Sequence, residues 1–305
     1  MNDKIEYGVS TWLWESPFNT ESIALFPKIR NMGFDVVEIP VEDPLLINGP
    51  IVKQALRDNG LKAVVCGAFG PTKDLTSEDV AVHVNCFRYL ERCFELCNLW
   101  EVDFMAGPMY AAVGKTRMLP AQQRKREWDL AVHNIRKVCA MAEEHGLSIA
   151  LEPLNRFESD MINTAEDVMR FIADVNHSSA KVLLDGFHMT IEEGNIVEAI
   201  KTVGDKLIHV QVSENHRGIP GTGLTPWSDL AKGLKEIDYK GAIVIESFTP
   251  EIKELAGAVC IWKNLAASQD EFATEGIKFL KRTFEVQSLR LKVESSRLKV
   301  AHKSS

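Results

Sequence analysis

The sequence predicts a single α/β domain, a (β/α)8 TIM barrel in which each of eight parallel strands is followed by a helix. Short apolar runs alternate with longer helical patterns about eight times along the chain, as expected for strand–helix–strand units. No glycine-rich phosphate loop follows any strand, which counts against a doubly wound open sheet. Four successive strands end in a polar side chain, and a barrel brings such strand ends together.

The first four strands are predicted from apolar segments bounded by Gly, Pro, Asn or Asp. They are 6–13, 35–39, 62–66 and 102–105. The helices after them have apolar positions every three to four residues. These helices are 20–32, a helix that ends near Asn59 and Gly60, 77–98 and 121–144.

The second half of the chain repeats this alternation. Its predicted strands are 148–151, 181–184, 207–210 and 242–245. Its predicted helices are 164–175, 193–203, 227–237 and 268–284. We predict that the barrel domain spans residues 1–286. Residues 287–305 are basic and nearly self-repeating, and we interpret them as a loose or appended tail outside the domain.

Composition argues against several classes of function. The net charge of -8 argues against a nucleic-acid partner, because phosphate binding needs clustered Lys and Arg. No run of about 18 uninterrupted apolar residues, the length needed to cross a bilayer, is present. The first ten residues lack the basic and apolar stretches of a signal peptide. We therefore expect a cytoplasmic protein with no nucleic-acid or membrane partner.

Each of the last four strands is followed by, or runs into, an oxygen-bearing side chain. One such residue could simply cap the next helix, but four at matched positions are expected to share the central space of the barrel. Carboxylates that meet in a low dielectric repel each other unless a cation neutralises them. Oxygen ligands favour a divalent ion such as Mn²⁺, Mg²⁺ or Co²⁺. The predicted ligands are Glu152, Asp185, Gln211 and Glu246.

The motifs around these residues resemble the ketose 3-epimerases, namely the D-tagatose, D-psicose (allulose) and L-ribulose 3-epimerases of the xylose-isomerase-like barrel superfamily. The resemblance runs from Tyr7 to about Phe284. It is carried by five motifs in order, at 152–158 (EPLNRFE), 184–193 (LDGFHMTIEE), 213–221 (SENHRGIPG), 246–248 (ESF) and 261–265 (IWKNL). It implies an isomerase that inverts one carbon of a small sugar by removing and returning a proton through an enediolate. It also implies one divalent metal ion, with Mn²⁺ first, and a homodimer or homotetramer.

The resemblance further implies roles for single residues. Glu152 and Glu246 are the expected acid and base on opposite faces of the sugar, and both are expected metal ligands together with Asp185. Three residues are expected to hold oxygens at the carbonyl end of the sugar, and one is expected to form part of an apolar wall. They are Glu158, His188 and Arg217 for the oxygens, and Phe248 for the wall.

Two positions depart from the family pattern. The family usually has His where Gln211 stands, and commonly Thr where Gly186 stands. An amide oxygen is a poorer donor to a transition metal than imidazole, so two alternatives stay open. One is the catalytic α subunit of a C-glycoside deglycosidase, a lyase that acts on 3-keto glycosides with a small β-sandwich partner. The other is a non-catalytic sugar-binding barrel that has lost its metal.

Overall fold

The computed structural model describes residues 5–284, and it confirms the predicted barrel. Eight parallel strands pair in sequence order, and the last strand closes on the first. The strands are β1 (Tyr7–Ser10), β2 (Val36–Val41), β3 (Lys62–Gly67), β4 (Phe104–Gly107), β5 (Ser148–Leu151), β6 (Ala180–Asp185), β7 (Leu207–Val212) and β8 (Ile243–Ile245).

At least one helix follows each strand and returns the chain to the bottom of the barrel. The helices are α1 (Phe26–Met32), α2 (Gly49–Asn59), α3 (Val80–Trp100), α4 (Ala121–Glu144), α5 (Ala165–Val175), α6 (Gly186–Glu192), α7 (Ile196–Val203), α8 (Trp227–Glu236) and α9 (Lys253–Ala258). The closing helix, α10, is helical from 269 to 284, where the described residues end.

The hydrophobic core lies both inside the barrel and between the barrel and its helices. Strands β1, β2 and β8 are buried along their whole length, because parallel strands in a barrel are covered on both faces. Helix α5 shows how the outer layer forms. It buries Val168, Phe171, Ile172 and Val175, which share one face at the helical period. Each such side chain contributes roughly 1.5–3 kcal/mol when buried.

The structure shifts several element ends and adds two helices. The predicted strand 6–13 ends at Ser10, and 11–13 form a 3-10 helix. The predicted helix 20–32 begins as a 3-10 segment over 20–25. Helices α6 and α9 were not predicted, since each is only six or seven residues long and a helical period needs a longer window. Both belong to the loops at the carboxyl ends of the strands.

No helix within residues 5–284 is long and apolar enough to cross a membrane. The predicted tail, 287–305, lies outside the described residues. The division of the chain at residue 286 therefore stays a prediction.

Candidate active site

The four predicted metal ligands are buried together at the carboxyl ends of β5 to β8. Asp185 and Gln211 are paired across β6 and β7. Glu152 and Glu246 directly follow β5 and β8. Glu152 and Glu246 are 5% exposed, and the other two are fully buried. The barrel therefore removes all four polar groups from bulk water, which is costly unless partners satisfy them.

Six of the eight predicted site residues line one cavity of about 650 Å³. The six are Glu152, Glu158, His188, Arg217, Glu246 and Phe248. The other two, Asp185 and Gln211, lie behind this lining and bond to it. Asp185 contacts Arg217, and Gln211 contacts Glu246. The structure thus brings all eight residues into one connected site.

Asp185 has two roles, because it ends β6 and also caps α6. Its Oδ1 accepts a hydrogen bond from the backbone N–H of Phe187 at 2.9 Å, which starts the helix. His188 follows three residues after Asp185 and returns to the same side of the helix. Its Nε2 lies 3.7 Å from Asp185 Oδ2 and 3.4 Å from Glu152 Oε1. The short helix α6 therefore places an imidazole between two carboxylates.

The hydrogen bonds of His188 identify its tautomer. The backbone N–H of Asn155 donates to Nδ1 at 3.1 Å, so Nδ1 accepts and the proton of the neutral ring lies on Nε2. Burial opposes the charged ring, yet the hydrogen bond to Glu152 and the charge of Asp185 raise the pKa of His188. Nε2–H is thus a donor that faces the cavity floor, by which we mean the buried polar group formed by Glu152, Asp185, Gln211 and Glu246.

Arg217 lies at the centre of the site. Its Nη1 donates to Asp185 Oδ2 at 2.7 Å and to Glu246 Oε2 at 2.9 Å. Its guanidinium carbon lies 4.0 Å from the ring centroid of Phe187 and 5.2 Å from that of Phe248. Burial opposes the charge, but the surrounding carboxylates raise the pKa of Arg217. The guanidinium therefore stays charged and offsets part of the buried negative charge.

The loop that presents Arg217 is held by Glu214, a residue that the sequence reasoning did not assign. Arg217 has a φ of 60°, a left-handed conformation that costs a non-glycine residue on the order of 1–3 kcal/mol. The buried carboxylate of Glu214 offsets this cost, because it accepts hydrogen bonds from four N–H groups. The donors are the backbone N–H groups of Asn215, Gly221 and Thr225 and the indole Nε1 of Trp227.

Gln211 is oriented by a second unassigned residue, Glu38 on β2. The Gln211 Nε2 donates to Glu38 Oε1 at 2.9 Å and to Glu246 Oε1 at 3.0 Å. Glu38 is fully buried and also contacts His209 Nε2 at 2.7 Å. A glutamate inside the apolar run Val36–Val41 was the sequence signal for this residue. Both N–H groups of the Gln211 amide therefore donate to carboxylates.

Glu152 and Glu246 can hold a proton more readily than ordinary glutamates. Burial raises the pKa of Glu246 well above its usual value, although the Arg217 charge acts in the opposite direction. Burial also raises the pKa of Glu152, although the hydrogen bond from His188 lowers it. A carboxyl whose pKa approaches the working pH can both accept and return a proton.

The polar groups of the floor fit a divalent cation on donor chemistry. Glu152, Asp185 and His188 each place one possible ligand atom within 4.8 Å of the others. The Oε1 atom of Gln211 is buried and has no hydrogen-bond partner among the described residues. An unsatisfied amide oxygen on a side chain that contacts the carboxylates of Glu38 and Glu246 is a suitable ligand for a hard cation. Gly186 is the other position that departs from the family pattern. An added Cβ there would lie 3.4 Å from Leu230 Cδ1, which is an ordinary contact, so the available space does not require glycine.

Comparison with known proteins places this chain in a family. Residues 26–283 match the family described as the xylose isomerase-like TIM barrel. A ketose 3-epimerase from Arthrobacter globiformis is 31% identical over 281 residues, which are 91% of this chain and 96% of that protein. A 3-dehydro-D-guloside 4-epimerase from Escherichia coli K12 is 32% identical over 243 residues, which are 74% of this chain and 90% of that protein.

A solved structure agrees with these relatives. The crystal structure of a D-allulose 3-epimerase from Methylomonas sp. in complex with D-allulose superposes with a TM-score of 0.84 at 29% identity. The match covers 92% of this chain and 97% of that chain. The kinship expected from the five motifs is therefore confirmed over nearly the whole barrel. This chain belongs to the xylose isomerase-like TIM-barrel family, among relatives that are named sugar epimerases.

Proposed function

We propose that this chain is a divalent-metal-dependent ketose 3-epimerase, which inverts carbon 3 of a small ketose. The observation that supports this proposal most is the cavity floor, where Glu152 and Glu246 are both buried and face the same cavity. The names of the relatives support the same reaction class, since several are ketose 3-epimerases.

The reaction needs one group to remove a proton from the carbon beside the carbonyl and another to return it on the opposite face. Glu152 and Glu246 are assigned these roles, and they exchange them when the reaction runs in reverse. Burial raises the pKa of both residues. This matters because a general acid or base works best when its pKa lies nearer the working pH, where it can both accept and release a proton. No net gain or loss of atoms or electrons occurs.

Negative charge develops on the carbonyl oxygen when the proton leaves, and preformed donors can stabilise it. His188 offers its Nε2–H, which the bond from Asn155 to Nδ1 fixes on the cavity side. Arg217 offers its guanidinium N–H groups. Glu158 receives a hydrogen bond from the Asn155 side chain at 2.8 Å and is assigned to accept one from a sugar hydroxyl.

Glu152, Asp185, Glu246 and the free amide oxygen of Gln211 are the residues that would hold the cation, with Mn²⁺ as the first candidate and Mg²⁺ or Co²⁺ as alternatives. When bound, such an ion polarises the carbonyl and offsets negative charge on the sugar oxygens. The Gln211 Nε2 is already used by Glu38 and Glu246, so its oxygen is the atom left for a ligand role.

The direct test is to incubate the purified chain with D-fructose, D-psicose, D-tagatose and L-ribulose in Mn²⁺, and to separate the products by chromatography. We expect interconversion of at least one pair of 3-epimers, loss of activity with EDTA and recovery with Mn²⁺. A folded, metal-loaded protein that converts no ketose would contradict the proposal. Sugar binding without turnover would favour the binding-protein alternative.

Two further expectations stay predictions. Release of an aglycone from a C-glycoside that requires a small β-sandwich partner would favour the deglycosidase alternative. Assembly as a homodimer or homotetramer is testable by light scattering.

A further inference from the structure

One side of the cavity is built from the loops that follow three neighbouring strands. They are the β3 loop (68–79), the β4 loop (108–120) and the β5 loop (152–164). These loops place Pro71, Gly114 and Glu158 in the cavity lining. Glu158 lies seven residues beyond the end of β5 at Leu151, and loops are more mobile than the strands they follow. The assigned role of Glu158 toward a sugar hydroxyl therefore depends on the contacts that hold these loops together.

The backbone of the β4 loop pairs with that of the β5 loop. The Gly114 N–H donates to the carbonyl of Glu158 at 2.7 Å. The Asp160 N–H donates to the carbonyl of Lys115 at 2.8 Å. Lys115 and Ser159 face each other as an isolated parallel bridge. The backbone of Glu158 is thus tied to the β4 loop by a short extra ladder beside the barrel.

The side chain of Lys115 fixes the β4 loop to the β3 loop. Its Nζ lies 2.9 Å from Asp74 Oδ2 and also donates to Thr76 Oγ1. The other oxygen of Asp74, Oδ1, accepts hydrogen bonds from the backbone N–H groups of Thr76 at 2.9 Å and Ala112 at 3.3 Å. Burial raises the pKa of Asp74, but the hydrogen bonds from Thr76 and Lys115 lower it below its usual value. Asp74 is therefore a charged partner for the ammonium group.

Arg117 fixes the β4 loop to the β5 loop in the same way. Its backbone N–H and its Nε donate to Asp160 Oδ2 at 2.7 and 3.0 Å. Its Nη2 donates to Glu127 Oε2 at 2.7 Å, and Lys115 Nζ lies 3.4 Å from the same oxygen. Glu127 on helix α4 thus receives both cations. We call this network the loop clamp, which consists of Asp74, Lys115, Arg117, Glu127 and Asp160.

The loop clamp is more than a set of surface ion pairs. The side chains of its three carboxylates are only 10–12% exposed. Partly buried pairs are screened by salt much less than exposed pairs, and a network of charges is more effective than an isolated pair. A separate depression of about 500 Å³ on the clamp side shares Val113 and Gly114 with the catalytic cavity. These two residues therefore form the partition between clamp and cavity.

We infer that Lys115 is a positioning residue for sugar binding: through the loop clamp it holds Glu158 where its carboxylate accepts the hydrogen bond from a sugar hydroxyl. This inference rests on the proposed function. The Asn155 side chain orients the Glu158 carboxylate at 2.8 Å, whereas the clamp holds the backbone of Glu158. Loss of the clamp should therefore displace this acceptor, while Glu152 and Glu246 stay in place directly after their strands.

The test is the Lys115→Met variant, assayed by steady-state kinetics of 3-epimer formation. A hydroxyl keeps its charge during proton transfer, so its hydrogen bond is equally strong in the ground state and the transition state, and its loss raises KM alone. We expect KM to rise about tenfold, the lower end of the effect of losing one hydrogen bond to a charged group, and kcat to stay within about threefold of wild type. Lys115→Arg, which preserves the charge, should restore most of the wild-type KM. Lys125→Met is the matched control and should change neither constant, since the pair of Lys125 with Asp129 on α4 is exposed.

A double-mutant cycle asks whether Lys115 acts through Glu158. If it does, adding Lys115→Met to Glu158→Ala should change KM by less than about twofold, whereas independent effects would multiply. Multiplied effects, an unchanged KM in Lys115→Met or a loss confined to kcat would each overturn the inference. Arg117→Met provides a second variant in case Lys115→Met does not fold. It removes the bonds from the guanidinium to Asp160 and should raise KM in the same way.

Amide hydrogen exchange separates this inference from the proposed function, because it needs no turnover. The N–H groups of Gly114 and Asp160 should exchange about threefold or more faster in Lys115→Met than in wild type, since local opening exposes them, and no faster in Lys125→Met. Equal exchange in Lys115→Met and wild type would overturn the inference even in an active enzyme. A wild-type chain that converts no ketose would overturn the proposed function, on which these exchange rates do not depend.

Discussion

Replacing Glu246 with Gln tests the proposed acid–base pair, because it removes the proton-accepting oxygen and preserves the shape of the side chain. The two carboxylate oxygens of Glu246 accept hydrogen bonds from Gln211 Nε2 and Arg217 Nη1. An amide keeps one acceptor and turns a donor toward the other partner, which costs about 1–3 kcal/mol. Removal of a buried charge offsets part of this cost, since burial raises the pKa of Glu246. We therefore expect a small change in folding stability.

The rate should change far more than the stability. Loss of one acid–base group costs about 10²- to 10⁴-fold, or about 3–5 kcal/mol of activation free energy at 1.36 kcal/mol per factor of ten. The assay is the initial rate of 3-epimer formation, with circular dichroism and urea unfolding as checks on the fold. Glu251→Gln, an exposed position on the same segment, is the matched control and should retain the wild-type rate. A Glu246→Gln rate within threefold of wild type would refute the assigned role.

Three further predictions concern the residues around this pair. Gln211→His should tighten the binding of Co²⁺ relative to Mg²⁺, because imidazole is the better ligand for borderline ions; calorimetric titration measures this, and an unchanged preference would mean that Gln211 is not a ligand. Glu38→Leu should destabilise the fold by about 2–6 kcal/mol, since it leaves the buried donors of His209 and Gln211 without their shared acceptor. In urea unfolding, a loss of stability below about 0.5 kcal/mol would be no larger than that of a surface substitution and would contradict the stabilising role of these hydrogen bonds. The pKa of Glu214 lies below its ordinary value because its hydrogen bonds outweigh burial. Its contribution to folding stability is therefore fully present above an unfolded pKa of about 4.3 and is lost as the pH falls through the folded pKa. Glu214→Gln should flatten this loss of stability in acid, and an unchanged stability–pH profile would show that the carboxylate is not responsible.

The barrel could be predicted from sequence because its signal is repeated. Eight apolar runs alternate with eight helical patterns, and an error at one strand end does not change the number of units. Strand β5 and helix α4 have the predicted bounds. The predicted secondary structure was wrong where a local hydrogen bond starts a helix that the spacing of apolar residues does not indicate. Asp185 caps α6 directly after its strand, so a helix begins where the periodicity suggested only a loop.

The polar floor was predictable only in part. Charged residues directly after apolar strands indicated Glu152, Asp185 and Glu246. Glu38 was not recognised, because a glutamate within an apolar strand shows that the position is unusual but not whether its side chain points into the barrel or toward a helix. The central position of Arg217 between two carboxylates depends on a left-handed backbone angle and on the loop around Glu214, and neither can be derived from residue spacing.

The apolar side of the cavity could not be predicted at all from local patterns. It joins side chains that are far apart in sequence, such as Trp12, Phe69 and Val259, through one cavity. Phe69 lies there because its ring packs closely on Gly67 and Gly107. Only the three-dimensional structure shows that these residues face the same space as the acid–base pair.

Proton exchange at carbon 3 tests whether this chain inverts the sugar by removing and returning a proton there. The purified chain with Mn²⁺ is incubated with a ketose in D₂O, and nuclear magnetic resonance follows the hydrogen at carbon 3. We expect the 3-epimer to form with one deuterium at carbon 3 and none at carbon 4, and we expect Glu246→Gln to abolish this uptake. Epimer formation without deuterium uptake at carbon 3, or uptake that is unchanged in Glu246→Gln, would contradict this mechanism.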